Sequence, residues 1–333
     1  AEQYNAILAD ERSFLGNESD VNGDGKFAVL FTQVVNGLGG SSGGMVTGFF
    51  YAIDLFSDNT YEVSNEMEVF YSFVPDPSGS YGSAISNSFA FTNIYPGVLA
   101  HEFQHMVNFN QHYFINDSSS ERGWLNEGMS HLMEDIYSLN ADGYMEETGL
   151  ENPARVASFL KNIASTCVTC GTNLSQRGGS YLFIRYLYEQ AELGNISNLS
   201  DGAALIESLV QTGLRGDENV SQALYGLSGT EDDFHDIFGI YGLALYLSDT
   251  GLTTDNRLQI LGINLRAVQE DNRGTVLNGP AIQQPSSLPF VDNMSGNSIN
   301  FIQLSAETIN EVGGSLEFSV GTGDVELGGY LVH

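Results

Sequence analysis

The stretch His101-Glu102-Phe103-Gln104-His105 constrains this 333-residue chain more than any other. Two histidines four apart project from one face of a helix, so both imidazoles reach a single metal ion. The flanks predict that helix. Pro96 suits a first turn, and Val98, Leu99, Phe103, Met106 and Val107 fall on one apolar stripe. Glu102 is one residue on and rotated away from the pair. Its carboxylate therefore addresses a metal-bound water rather than the metal, as a general base must. The alternative is a chance match on a core helix, and a third ligand is the test between the two.

That ligand is Glu127, 22 residues after His105, inside Gly123-Trp124-Leu125-Asn126-Glu127-Gly128. A second helix packed on the first aims Glu127 at the pair. Two His, one Glu and a water make the open coordination of a catalytic Zn²⁺ site. Glu134 lies two helical turns past Glu127 on the same face, placed to accept the other ring N–H of a ligand histidine. His131 is four residues after Glu127 and points to the same side. As a fourth protein ligand it would close the open position, so a hydrogen-bonding place within the site is the reading that keeps catalysis.

His-Glu-Phe-Gln-His followed by Trp-Leu-Asn-Glu-Gly resembles the gluzincin metallopeptidases. Trp124 to Glu134 is similar to the aminopeptidase N-like branch, and residues 18 to 250 as a whole look most like the secreted hyicolysin family. Beyond the zinc motifs, the second likeness rests on an Asp/Asn/Gly loop before an early strand, on Ser64-Asn65-Glu66 before another, and on a late Tyr-Leu-Phe helix. The resemblance implies a zincin-like fold and a secreted zinc endopeptidase acting on proteins or peptides. His101, His105 and Glu127 would hold zinc, Glu102 would be the base, and Glu134 would support a ligand.

Two departures qualify it. The aminopeptidase branch carries a Gly-x-Met-Glu-Asn motif that captures a free amine, and this chain offers only Asn65-Glu66-Met67-Glu68-Val69. That favours an endopeptidase over an aminopeptidase. Gluzincins also supply a Tyr or His for the oxyanion, yet Ser175-Gln176-Arg177 stands where the aminopeptidase pattern has its Tyr. Tyr181 is the first candidate and Arg177 the second. Without a competent oxyanion donor, a zinc-retaining binding protein with no catalysis is the remaining rival.

Asp20-Val21-Asn22-Gly23-Asp24-Gly25 places oxygens at alternate positions with Gly at the sixth, the opening of an EF-type Ca²⁺ loop. Phe31 occupies the twelfth position where such a loop needs an acid, so another carboxylate such as Glu18 has to serve. A plain Asx/Gly turn is the competing reading. Cys167 and Cys170 read as a loop-clamping disulfide, since half a metal site would need a second Cys/His pair nearby. His112, seven residues past His105, either lines the cleft or sits as an ordinary helix histidine.

The organisation predicts an α+β fold. Residues 1 to about 90 read as strands and turns, with strands at Lys26–Val35, Met45–Phe56 and Met67–Val74. From Pro96 the period becomes helical, with further helices at 126–139, 153–163, 179–192, 202–211 and 231–247. A Pro-rich shift at 279–289 precedes strand-like runs at 298–304 and 315–320. These divisions suggest a 1–280 catalytic domain, with a β-rich part to 115 that ends in the His-Glu helix and a helical part over 116–280. A small β-rich tail spans 281–333. Lys plus Arg is 11 against 42 Asp plus Glu, a net charge of −31 that repels nucleic acid and anionic membranes. The longest apolar stretch, near Phe238 to Leu247, is too short for a membrane span. A surface rich in Gly, Ser, Asn and Thr suits an exported, extracytoplasmic protein.

Overall fold

The computed structural model describes residues 2–42, 45–137, 151–226, 231–269, 274–287, 290, 292, 294–311 and 329–330. The architecture is mixed α+β, with many helices and a small sheet. Helix α1 (Glu2–Leu15) opens it, in a region where only strands and turns are expected from sequence. Its buried side chains Ile7, Leu8, Glu11 and Leu15 recur at helical spacing and pack onto the core.

Three short strands follow: β1 (Ala28–Phe31), β2 (Gly48–Phe50) and β3 (Val69–Ser72). Single helical turns interrupt the expected longer ones, at α2 (Gln33–Asn36) after β1 and at Ala52–Leu55 after β2. The sheet order is β1-β3-β2. β1 runs parallel to β3 and β2 antiparallel to it, which leaves β2 on an edge.

After a turn at α3 (Asn87–Phe89), helix α4 (Tyr95–Phe109) begins with Pro in its first turn, as the sequence implies. A π-helical stretch, Asn110–Ile115, continues it. Then come α5 (Gly123–Ile136), α6 (Asn152–Lys161), α7 (Leu174–Glu192), α8 (Gly202–Val210), α9 (Gly216–Tyr225) and α10 (Glu231–Leu247). Asn173 and Gln176 form a capping box that fixes the start of α7.

Helix α5 is central: it packs against α4 on one side and α7 on the other, and α6 packs along α7. Phe103, Met106 and Val107 of α4 meet Leu125, Met129 and Leu132 of α5 in a core free of solvent. Each such side chain contributes roughly 1.5–3 kcal/mol. A Cβ on Gly178 of α7 would lie 2.1 Å from the Arg155 carbonyl oxygen, so the α6–α7 contact depends on glycine there.

The tail expected to be β-rich contributes β4 (Ile282–Gln283) paired in parallel with β5 (Phe301–Ile302), then a short α11 (Ala306–Glu311). The expected strand at 315–320 lies outside the described residues. Phe301 packs on Tyr246 of α10, and Val168 N–H donates to the Asn297 carbonyl, so this segment rests on the helical core. Among the described residues no helix is long and apolar enough to cross a membrane.

Candidate metal centre

His101 and His105 stand on successive turns of α4, with their Nε2 atoms 3.1 Å apart. Helix α5 brings Glu127 across, and its Oε2 lies 3.7 Å from His101 Nε2. His101 thus lies close to both other expected ligands, because α4 and α5 bury their apolar faces against each other and leave these polar groups at the seam.

Glu134 is where the sequence expects it. Its Oε1 accepts from Nδ1 of His101 at 2.8 Å, which sets the tautomer and frees His101 Nε2 as a lone-pair donor. The same oxygen lies 2.7 Å from Nδ1 of His131. Arg155 reaches Glu134 Oε2 at 3.3 Å from α6. Ser130 Oγ lies 3.1 Å from His105 Nδ1 and donates to Gln104. Neither Arg155 nor Ser130 carries a motif signal. Ser130 falls one turn past Asn126 on α5 and also reaches its carbonyl.

Charge follows from burial. Burial alone would hold His101 neutral, but its hydrogen bond to Glu134 and the Glu102, Glu134 and Glu127 carboxylates outweigh that and raise its pKa. Burial first, then repulsion by His101, lowers His105 to about 4. Burial opposes ionisation of Glu127, yet His105, His101, Arg177 and His131 together lower it to about 2. Burial raises Glu102 to about 7, with Glu127 adding to the shift against His101. One carboxylate here is ionised at every physiological pH and its neighbour is poised near neutrality.

Glu102 Oε2 accepts the backbone N–H of Phe50 at 2.8 Å, so edge strand β2 holds this carboxylate. Gly48 makes that approach possible, since a Cβ there would lie 2.8 Å from Val98 Cγ1 and 2.9 Å from the Tyr71 carbonyl.

A zinc ion fits what is present. Glu127 Oε2 and His131 Nε2 are buried, lack hydrogen-bond partners and face each other at 3.6 Å. Two buried acceptors in such an arrangement are relieved by a cation held by Glu127 nearby. Among the described residues, His101–Glu102–His105 and His101–His131–Glu134 are donor groups compact enough for one ion. Imidazole with carboxylate is a set that suits zinc.

The two oxyanion candidates separate. Tyr181 is fully buried, and its hydroxyl donates to Asp135 beside Arg185. The expectation that it faces the cleft is corrected: four residues along α7 carry it one turn deeper, into the α5–α7 interface. Arg177 instead donates from Nη2 to Glu127 Oε1 at 3.0 Å, with a third of its side chain exposed.

The remaining expected residues lie elsewhere. Asp20, Asn22 and Asp24 are exposed, and each spends one oxygen on a backbone N–H of its own turn. Arg12 takes Glu18, the extra carboxylate considered for that loop. Glu68 turns from the cleft to accept Ser19 Oγ and the Val21 N–H. His112 is fully buried 3.8 Å from Glu121, away from the cleft. Cys167 and Cys170 are disulfide-bonded.

No protein-family model matches the chain. It is 30% identical over 188 residues to the neutral metalloprotease ShpI of Staphylococcus hyicus. That similarity covers 54% of this chain and 39% of the relative, so the matched part spans well under half of ShpI.

Proposed function

We propose that this chain is a zinc metallopeptidase of gluzincin type, nearest the hyicolysin family, that cleaves internal peptide bonds outside the cytoplasm. The observation that carries the reading is the close approach of His101 to both His105 and Glu127, with Glu102 grouped beside the two histidines. The likeness to a neutral metalloprotease supports it. His101 Nε2, His105 Nε2 and Glu127 would hold the ion. When bound, zinc supplies a Lewis acid that polarises a peptide carbonyl and brings the pKa of water toward ~7.

The chain's own groups supply the rest. Glu102, held by Phe50 beside the histidine pair, would accept the proton of the attacking water and deliver it to the leaving amine. Phe50 N–H occupies Oε2 of Glu102 and leaves Oε1 for the proton. Arg177, which donates to Glu127, is the side chain that would help stabilise the developing oxyanion. Edge strand β2 offers an extended substrate a line of backbone groups next to Glu102. Glu68 favours endopeptidase over aminopeptidase action, because the group is fully buried and its Oε1 accepts from Ser19 and Val21. The 1–280 catalytic unit with a 281–333 tail belongs to the same reading, and so does a Ca²⁺-filled Asp20–Asp24 loop.

The test pairs metal analysis with casein cleavage for wild type and Glu102→Gln. One zinc per chain in both, with turnover only in wild type, is the expected result. Zinc in both without turnover on casein or on N-blocked peptides would turn the reading to a binding protein. Absence of zinc from both would remove it altogether.

A further inference from the structure

His131 has no part in the scheme above, yet it is one of the most constrained residues in the molecule. Its side chain is fully buried on α5. Its Nδ1 lies 2.7 Å from Glu134 Oε1, its Nε2 lies 3.6 Å from Glu127 Oε2, and its ring centroid is 4.8 Å from that of His101. One imidazole thus spans the carboxylate that would bind metal and the carboxylate that orients a ligand.

The contacts on either side of the ring decide how it does so. Glu134 gathers three donors: Arg155 reaches its Oε2 at 3.3 Å, and Nδ1 of His101 and of His131 lie 2.8 and 2.7 Å from its Oε1. Nδ1 of His131 must therefore carry the proton, as must Nδ1 of His101, because both face the same oxygen. Nε2 of His131 is then a bare lone pair aimed at Glu127 Oε2, and neither atom has a hydrogen-bond partner. The second N–H on Glu134 Oε1 does what His101 and Arg155 alone do not. It pins the carboxylate from within its own helix, three residues back, so that the carboxylate keeps the orientation His101 needs. The facing lone pairs of His131 and Glu127 are unfavourable without a cation and relieved by one.

Resting on the zinc reading, we propose that His131 is a positioning residue of the metal centre. It locks Glu134 through Nδ1 and faces Glu127 through Nε2, and thereby prepares the site for the ion without binding it.

The test measures Zn²⁺ affinity by chelator competition and the visible spectrum of the Co²⁺-substituted protein. The full chain is used as wild type, His131→Phe, His131→Leu and His131→Asn. An asparagine amide reproduces the Nδ1–H donor and cannot reach Glu127. His131→Phe and His131→Leu are expected to lose about 10- to 100-fold in Zn²⁺ affinity, the range usual for partners behind a ligand. Their Co²⁺ band positions should stay unchanged, and His131→Asn should recover affinity to within about threefold. Affinity within threefold of wild type in the apolar variants overturns the proposal. So does an Asn variant as weak as they are, and a shifted Co²⁺ spectrum would then make His131 a direct ligand. Should neither apolar variant fold, the Asn variant decides alone: retained affinity supports the proposal and a tenfold loss ends it. A wild type that binds no zinc defeats the metallopeptidase reading instead, which keeps the two failures apart.

Discussion

Phe50 donates its backbone N–H to Glu102 across 2.8 Å, joining the edge strand of the sheet to the carboxylate beside the histidine pair. The bond exists because Gly48, two residues earlier, lets β2 lie directly on α4. Gly48→Ala drives a methyl against Val98 and the Tyr71 carbonyl. The expected cost is about 1–3 kcal/mol of overpacking. Turnover should fall further than zinc content does, because His101, His105 and Glu127 sit on other elements. Metal analysis alongside kcat reads this, and equal losses in both would show that β2 has no separate hold on the base.

Arg177 and Tyr181 are expected to fail in opposite ways. Arg177→Ala should lower kcat by about 10²–10³-fold, the scale of one lost oxyanion donor, while leaving Tm within a few degrees. Tyr181→Phe deletes a buried hydroxyl bonded to Asp135 and should cost about 1–3 kcal/mol of stability with kcat nearly unchanged. Thermal melts and steady-state kinetics on both variants separate them. Loss of kcat in folded Tyr181→Phe protein would return the oxyanion role to that residue.

Glu11 on α1 is fully buried with neither carboxylate oxygen partnered. Burial first, then repulsion from Asp10, raises its pKa well above the ordinary carboxylate value, against a smaller pull from Arg12. The folded state therefore keeps the proton after the unfolded chain has released it. Stability from this group is complete below the unfolded pKa near 4.5 and declines as pH climbs toward the folded value. Glu11→Gln should accordingly melt higher than wild type at pH 7, with the gap closing near pH 4. A gap that is constant with pH would show that the carboxylate is not the cause.

Gly178→Ala tests the support behind Glu134. The new methyl would overlap the Arg155 carbonyl, and α6 has to shift, carrying with it the guanidinium that reaches Glu134. A loss of more than about 2 kcal/mol is expected, together with weaker zinc retention. Urea unfolding with and without added zinc measures both, and full retention would mean that Arg155 does not steady the centre.

Much of the centre was legible because its spacing is local. His101 and His105 are one helical turn apart, Glu127 and Glu134 two turns apart, and backbone geometry alone puts each pair on one face. Arg155 and Ser130 were not legible in the same sense, whereas spacing alone put His131 on the Glu127 side of its helix. Their contacts depend on how α4, α5 and α6 rotate against one another. Tyr181 shows the limit plainly: helical phase aligned it with Arg177, but only depth in the α5–α7 interface tells a buried hydroxyl from a cleft-facing cation. The strands predicted over eight to twelve residues shrank to three or four. Their β-branched and aromatic residues pack against helices rather than pair along a ladder. Helix α1 escaped because charged residues break up an otherwise regular stripe at Ile7, Leu8, Glu11 and Leu15.

By itself the sequence determined which donors exist, how they are spaced along each helix and which helix faces must be buried. Only the tertiary structure decided that Glu127 of α5 meets His101 of α4, that one oxygen of Glu134 serves two imidazoles, and that Arg177 rather than Tyr181 borders the cleft. The physical reason is one of range. Periodicity is written into four or five consecutive residues. The relative rotation of packed helices comes instead from the summed fit of dozens of side chains far apart in the chain.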